Sequence, residues 1–193
     1  MSRPAPSASL SPWRDDRRRF GRISRWLHWS MAALLGWQFA GMLAKVGLGK
    51  AHVLTQWLTP SHSHIGILLL VLVVVRAVWG LTQLGRRPAT PGWAAWAAWG
   101  GHLVLYALML LVPLLATLRM LGNTRPFAWF GLLPLNDGTG ERIEALVAPG
   151  NAWHGTLGWV LLALIVGHIL FALGHRFLLN DDVAQRMIGR VRD

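Results

Sequence analysis

Four long apolar segments constrain the fold of this chain more than any other feature of its sequence. They cover about residues 26–46, 65–84, 94–118 and 153–179, and none of them contains an aspartate or a glutamate. A hydrocarbon core of about 30 Å needs roughly 20 apolar residues for each crossing helix. The sequence therefore predicts an all-α integral membrane protein that folds as a four-helix up-and-down bundle.

Composition agrees with a bilayer protein and excludes several other classes. Hydrophobic residues make up 53% of the 193 residues and charged residues only 14%, whereas roughly a quarter is charged in ordinary globular proteins. The chain has no cysteine, so disulfide scaffolds, thiolate metal sites and covalent haem attachment through C-x-x-C-H are excluded. Residues 1–25 and 180–193 are left as tails around a membrane domain at 26–179, with no room for a separate soluble domain.

Orientation follows from the placement of lysine and arginine, which are enriched on cytoplasmic flanks. Of the 19 such residues, 14 lie in the two tails and at the end of the second segment with its following loop. Both termini are therefore predicted to lie in the cytoplasm. The membrane that the chain crosses is predicted to be the inner (cytoplasmic) membrane. The net charge of +11 is explained as a topology signal, and nucleic acid is not expected as a partner.

Three further regions of the sequence have patterns that are weaker than those of the four apolar segments. The Arg-, Ser- and Pro-rich N-terminal tail shows no cleavage site for a signal peptide and is expected to be mobile. The repeat WAAWAAWG at residues 93–100, where the third segment begins, places indoles at headgroup level, or is simply an alanine-rich helix start. In the long connection at 120–151, ERIEALVA is expected to form amphipathic turns on the membrane surface.

The histidines are the chemically informative residues, because ionisable side chains at membrane depth are costly and usually functional. Seven of the eight lie in the apolar segments or at their ends: His28, His62, His64, His102, His154, His168 and His175. In the last segment, His154 and His168 are 14 residues apart. At about 100° and 1.5 Å per residue they share one face within roughly 40° and lie about 21 Å apart along the axis.

One helix thus presents imidazoles at two depths, and each depth has candidates on another helix. His62 and His64 begin the second segment on the outer side, where His154 lies. His28 lies toward the inner side, where either His168 or His175 faces it. Two imidazoles that meet across a bundle can bind a flat tetrapyrrole iron from both faces, and nearby small residues allow close approach of such a group: Gly66, Gly155, Gly158 and Gly167.

The same histidines are also compatible with proteins that bind no haem. A membrane histidine can hydrogen-bond a neighbouring carbonyl, and imidazoles also serve metal transporters. A transporter or proton pump is expected to place carboxylates beside its histidines, and the four segments contain none. Bis-imidazole ligation fills both axial positions, so the predicted task is electron transfer and not oxygen binding.

In order and spacing, several motifs together resemble the bacterial cytochrome b561 family, which is related to the b-type cytochrome subunits of hydrogenases and formate dehydrogenases. The resemblance covers residues 24–188 and rests on LHW around His28, H-x-x-x-G at His62, GHLVLY around His102, WHGTLG at His154, and the closing ALGHRF. It implies two haem b groups with axial ligands His28 and His168 on the inner side and His62 and His154 on the outer side. It places His64 and His175 outside the ligand set.

Three further residues are candidates for contacts with a quinone or a haem propionate. Arg76 either bonds a propionate or extends to the headgroups. His102 and His175 either handle a quinone headgroup and its protons or make ordinary core hydrogen bonds. On the outer side, four cations either steer a small anion or anchor helix ends: Lys45, Lys50, Arg119 and Arg125.

The resemblance implies electron transfer between a periplasmic donor, superoxide in at least one member of the family, and the ubiquinone pool. This would make the chain a quinone-linked oxidoreductase embedded in the lipid bilayer. The alternative is a haem-bearing membrane anchor that relays electrons for a separate dehydrogenase or hydrogenase subunit. The Arg-rich N-terminal tail departs from the usual form of the family.

Overall fold

The computed structural model describes residues 12–17, 19–86, 93–177 and 183–188. This part of the chain is mostly helical. In chain order its elements are α1 (Arg22–Gly47), α2 (Val53–Leu58), α3 (His62–Thr82), a single 3-10 turn (Leu84–Arg86), α4 (Trp93–Leu121), β1 (Phe127–Trp129), β2 (Leu133–Asn136), α5 (Glu144–Phe177) and α6 (Val183–Ile188). The four long helices α1, α3, α4 and α5 correspond to the four predicted apolar segments.

Within the described residues, three helices are long and apolar enough to cross a membrane. They are α3, the part of α4 from Trp99 to Leu121, and α5. The fourth long helix, α1, has 26 residues, which is sufficient length for a crossing. It is less apolar than the others because polar side chains such as His28 and Gln38 interrupt its sequence.

Helices α1 and α3 pack against each other in antiparallel directions. At one end, the Ser24 hydroxyl of α1 accepts a hydrogen bond from the Trp79 indole of α3 at 2.9 Å. At the other end, the Trp37 indole of α1 donates to the Ser61 hydroxyl, just before α3, at 2.8 Å. A core cluster centred on Met31, Leu69 and Val73 lies between these contacts, with Tyr106 and Met109 of α4 packed against it.

Helix α5 begins at Glu144, earlier than the predicted start near residue 153. The main chains of α4 and α5 approach closely here: a Cβ at Gly150 would lie 2.6 Å from the Arg119 Cβ, and one at Gly122 would lie 2.7 Å from the Leu146 Cβ. Val147 is buried in this contact. Residues 144–148 are therefore helical, but as the first turns of α5, which pack on α4 because glycine lets the two helices approach. Their location on the membrane surface stays a prediction.

Residues 12–17 and 19–21 belong to the tail that was predicted to be mobile, and they make defined contacts with the rest of the chain. Asp15 is buried, its side chain accepts a hydrogen bond from the Gly21 main chain at 2.8 Å, and its own N–H donates to the Gln83 side chain. The Arg186 carbonyl of α6 accepts from the Phe20 main chain at 3.4 Å. This segment thus contacts the start of α1, the region after α3, and α6.

Parts of other predictions lie outside the described residues. These are residues 1–11 and Arg18 of the N-terminal tail, residues 87–92 of the loop after α3, the end of the last predicted span at 178–179, and residues 180–182 and 189–193 of the C-terminal tail. Of the three tryptophans in WAAWAAWG, Trp96 and Trp99 are exposed on α4, with ring centroids 6.4 Å apart.

A β-hairpin that the sequence analysis did not predict lies in the connection between α4 and α5. Strands β1 and β2 pair in antiparallel directions, with Trp129 opposite Leu133. The three-residue loop between them contains Phe130 and Gly131, both with positive φ. The Asn136 side chain donates to the Met120 carbonyl at 2.8 Å and to the Asn123 carbonyl at 2.6 Å, which ties the hairpin to the end of α4.

Candidate functional site: two imidazole pairs

The first imidazole pair joins the start of α3 to α5. His62 is the first residue of α3, and its ring centroid lies 6.1 Å from that of His154, with an angle of 88° between the ring planes. Both residues are half-buried. The two rings thus face each other across a gap between two helices that are long and apolar enough to cross a membrane.

The orientation of His154 is fixed by the main chain of α4. Its Nδ1 lies 3.0 Å from the Val112 carbonyl oxygen. Because a carbonyl can only accept, Nδ1 carries the hydrogen in this arrangement and Nε2 is left with its lone pair. Histidines that bind metals usually donate their second ring N–H to a carbonyl or a carboxylate in this way, which sets the tautomer and the ring orientation.

His62 has an unsatisfied polar atom. Its Nδ1 is buried and has no hydrogen-bond partner among the described residues. A buried ring nitrogen without a partner is destabilising unless a ligand satisfies it. In the first pair, therefore, each histidine has a ring nitrogen that the protein itself leaves available.

The second imidazole pair joins the beginning of α1 to the second half of α5. The ring centroids of His28 and His168 lie 6.5 Å apart, with an angle of 64° between the planes. His102 of α4 lies next to this pair, with its ring centroid 5.5 Å from that of His168. Three histidines from three helices therefore meet at this level, and the sequence had placed all three toward the same end.

Both pairs have the spacing that a shared metal ion requires. An imidazole nitrogen binds a transition metal at about 2 Å, so two rings on opposite sides of one ion have centroids about 6 Å apart. In the described residues, no group of three or more His, Cys, Asp or Glu side chains is arranged to hold a bare metal ion. A tetrapyrrole supplies four ligands itself and needs only two from the protein, so the donor set fits haem iron.

The first pair opens onto a cavity of about 540 Å³, which is within the range of about 300–1,000 Å³ typical of ligand and cofactor sites. Its walls come from α1, α3, α4 and α5 and are mostly apolar. Gly155 and Gly158 line it, and a Cβ at either position would meet no atom within 4 Å. The side chains of Lys45 and Arg119 give the cavity two positive charges.

Arg76 and Tyr106 lie near the second pair. The Arg76 Nε donates to the Tyr106 hydroxyl at 2.8 Å, and its guanidinium lies 5.8 Å from the Tyr106 ring centroid. The guanidinium is close enough to act electrostatically on both His28 and His168. Both roles predicted for Arg76, a bond to a haem propionate and extension to the headgroups, stay predictions.

His64 belongs to a different structural unit from His62. Its ring stacks on Phe127 and Phe130, with centroids 5.1 and 4.8 Å away. Its Nδ1 accepts a hydrogen bond from the Phe130 N–H at 3.0 Å, and its carbonyl accepts one from the Trp129 indole at 2.9 Å. His64 thus attaches the hairpin to α3.

The two remaining histidines have local contacts. The ring of His175 lies 4.3 Å from that of Phe171, one turn earlier on α5. His52, which the sequence left outside the apolar segments, caps the N-terminus of α2 by accepting from the Leu54 N–H. Neither of these contacts places the histidine in one of the two pairs.

Sequence reasoning missed two residues that support the site. Gln38 is buried in α1, and its amide donates to the His62 carbonyl at 2.9 Å. Tyr106, the only tyrosine of the chain, accepts the hydrogen bond from Arg76. A polar residue in the middle of a predicted span would have singled out Gln38, and the presence of a phenol four residues after His102 would have singled out Tyr106.

The fold is that of a mostly helical protein with helices of membrane-spanning length, and two imidazole pairs lie between its helices. The prokaryotic cytochrome b561 family matches the chain over residues 19–190, and the chain belongs to this family. It is 30% identical over 177 residues to cytochrome b561 homolog 2 of Escherichia coli (strain K12), a match that covers 89% of this chain and 92% of that protein. Membership implies a membrane b-type cytochrome that binds haem b and transfers electrons.

Proposed function

We propose that this chain is a di-haem cytochrome in which His28 and His168 hold one haem b and His62 and His154 hold the other. The observation that carries the proposal is the presence of two imidazole pairs at metal-bridging spacing, 6.5 and 6.1 Å between ring centroids. The His154–Val112 hydrogen bond and the unsatisfied Nδ1 of His62 support it further. His102 and His64 are not axial ligands in this proposal.

The two sites lie at different depths of one four-helix up-and-down bundle with both termini in the cytoplasm. Helix α5 provides one ligand to each site, and the 14 residues between His154 and His168 correspond to about 21 Å along the helix. Haem, when bound, supplies a one-electron couple of its iron. The protein therefore connects redox partners on the two sides of the inner membrane, and residues 26–179 form the unit that does so.

The periplasmic donor in this proposal is superoxide. Lys45 and Arg119 line the cavity at the His62–His154 pair, and positive charge at a cleft attracts a small anion. The acceptor is ubiquinone near the His28–His168 pair, where a phenol, a guanidinium and an additional imidazole lie within reach: Tyr106, Arg76 and His102. These groups can hydrogen-bond a quinone headgroup and deliver the protons that its reduction takes up. His175 is the further candidate there.

The decisive experiment measures haem and turnover on the same purified chain. Haem content by the pyridine haemochrome method is expected at two b-type haems per chain, and superoxide is expected to reduce ubiquinone only in the presence of the loaded protein. A preparation with b-type haem but no superoxide-dependent reduction would remove superoxide as donor and leave the di-haem assignment intact. Co-purification of a stoichiometric dehydrogenase or hydrogenase subunit would favour the membrane-anchor alternative.

A further inference from the structure

The tip of the β-hairpin, residues 130–133, is an exposed apolar surface, and Leu132 in it is the most exposed large apolar residue of the part of the chain that the structure describes. Leu132 is 86% exposed, and Phe130 and Leu133 are each 52% exposed. The ten residues from Pro126 to Leu135 include no charged side chain. In water this tip would be an unfavourable surface, because exposed apolar area raises the free energy of the folded chain.

Two hydrogen bonds to His64 hold the hairpin against α3. The Phe130 N–H donates to the His64 Nδ1, and the Trp129 indole donates to the His64 carbonyl. Phe130 has φ of 49°, in a region that a bulky side chain rarely occupies. Strained backbone of this kind persists only where surrounding contacts fix it and often marks a binding element.

The position of His64 on α3 determines the side of α3 on which the hairpin lies. His62 points toward His154, as their ring distance shows. His64 follows two residues later, so its side chain is rotated by about 200° and faces away from His154. The hairpin that stacks on His64 therefore lies on the outer flank of α3, and not over the cavity at the His62–His154 pair.

We propose that residues 130–133 insert into the lipid at the boundary between headgroups and acyl chains, beside the first turn of α3. His64 is in that first turn, and α3 is apolar and long enough to cross the membrane, so the tip lies where the crossing begins. Farther along α3, exposed valines such as Val71 and Val74 give the helix an apolar surface of its own. Apolar segments at this level lie in the membrane interface, about 5–10 Å deep.

The residues that directly follow β2 are polar and serve as a water-exposed comparison for the tip. Asp137 and Thr139 are exposed, and the Thr139 N–H donates to the Asp137 carboxylate at 3.0 Å. This hydrogen bond lowers the pKa of the Asp137 carboxyl, which keeps it ionised. An ionised carboxylate and a hydroxyl belong on the water side of the interface.

The chain has no cysteine, so single cysteines can be introduced for spin labelling without other changes. The full-length protein would carry a nitroxide at Leu132→Cys, at Thr139→Cys as the water-facing control, or at Val71→Cys on α3 as the lipid-facing control. Each would be placed as a single copy in nanodiscs of phosphatidylcholine and phosphatidylglycerol. Collision rates with oxygen and with a water-soluble nickel chelate then report depth, and an unchanged elution volume shows that each labelled chain is folded.

We expect the ratio of oxygen to nickel collision rates at position 132 to be several-fold higher than at 139 and closer to the ratio at 71. Equal ratios at 132 and 139 would place the tip in water and overturn the proposal. Spin–spin broadening at 132 in vesicles, absent in single-copy nanodiscs and accompanied there by a water-like ratio, would assign the tip to a second copy of the chain and likewise overturn it. The outcome does not depend on the number or identity of haems.

Discussion

Gln38 and His62 are joined by a hydrogen bond from the Gln38 side-chain amide to the His62 carbonyl at 2.9 Å. Gln38 is on α1 and buried, and His62 is the first residue of α3. Helix α1 therefore takes part in both imidazole pairs: it provides His28 directly to one, and it holds the main chain of His62 in the other. The N–H groups in the first turn of a helix have no partner within the helix, and the bond from Gln38 to the His62 carbonyl adds a tertiary restraint to this turn.

Gln38→Leu is expected to loosen His62 and to change the site that it forms with His154. Removing one partner of a buried hydrogen bond costs about 1–3 kcal/mol. We expect a shifted midpoint potential or partial haem loss at the His62–His154 site and no change at the His28–His168 site, measured by redox titration of the b-type absorption bands. Trp37→Phe is the matched control, because it breaks the bond to Ser61 without touching the His62 carbonyl; an equal effect of both changes would assign Gln38 a merely structural role.

His62→Ala and His64→Ala test the ligand assignment within one turn of α3. His62→Ala is expected to remove one haem of two, because the remaining imidazole of His154 has no partner. His64→Ala is expected to keep both haems and to loosen only the hairpin, since its ring contacts Phe127 and Phe130. Haem content and the low-spin absorption spectrum of the two variants decide the matter, and loss of one haem from His64→Ala with retention in His62→Ala would refute the pairing.

His154→Ala and His168→Ala are expected to have complementary effects. Each removes one ligand provided by α5, so the first should empty the site at His62 and the second the site at His28. Spectra of the two variants, subtracted from that of the parent protein, should yield two different haem components. Retention of two haems in either variant would contradict the assignment.

Arg76→Met is expected to lower the midpoint potential of the His28–His168 site. A positive charge nearby favours the reduced iron, which carries one positive charge less, and the effect of a unit charge inside a protein is of order 1 kcal/mol or more. Tyr106→Phe keeps the guanidinium and removes only its hydrogen-bond acceptor, so it should shift the potential less. Redox titration compares the two, and a rise in potential in Arg76→Met would be inconsistent with this placement of the charge.

Gly21→Ala and Gly36→Ala are expected to change stability in opposite directions. A Cβ at Gly21 would lie 2.4 Å from the Arg14 main chain, and such overpacking costs about 1–3 kcal/mol. A Cβ at Gly36 would meet nothing within 4 Å, so the higher helix propensity of alanine gives a gain of up to about 1 kcal/mol. Thermal unfolding of both variants measures the difference, and equal stability would mean that the segment before α1 does not contribute to the fold.

The family, the membrane character and the helical fold were all predictable from the sequence. Long apolar segments have few alternatives, because every main-chain polar group in lipid must be satisfied within a helix or a closed barrel. The spacing between His154 and His168 also determined that α5 carries imidazoles at two depths on one face. Their role as haem ligands stays a prediction, and so does the crossing of the membrane by α1, which is less apolar than the three other long helices.

The sequence determined the helices and the histidines that they carry, because helical periodicity is a local property that can be counted along the chain. Only the tertiary structure decided which polar groups support those histidines. Gln38, which precedes His62 by 24 positions, donates to its carbonyl, and the Val112 carbonyl, 42 positions before His154, contacts the His154 ring. It also decided that His64 holds a hairpin and that Asp15 packs beneath α1. Contacts of this kind depend on how helices approach each other, and glycines such as Gly150 set that approach through the space that their missing side chains leave.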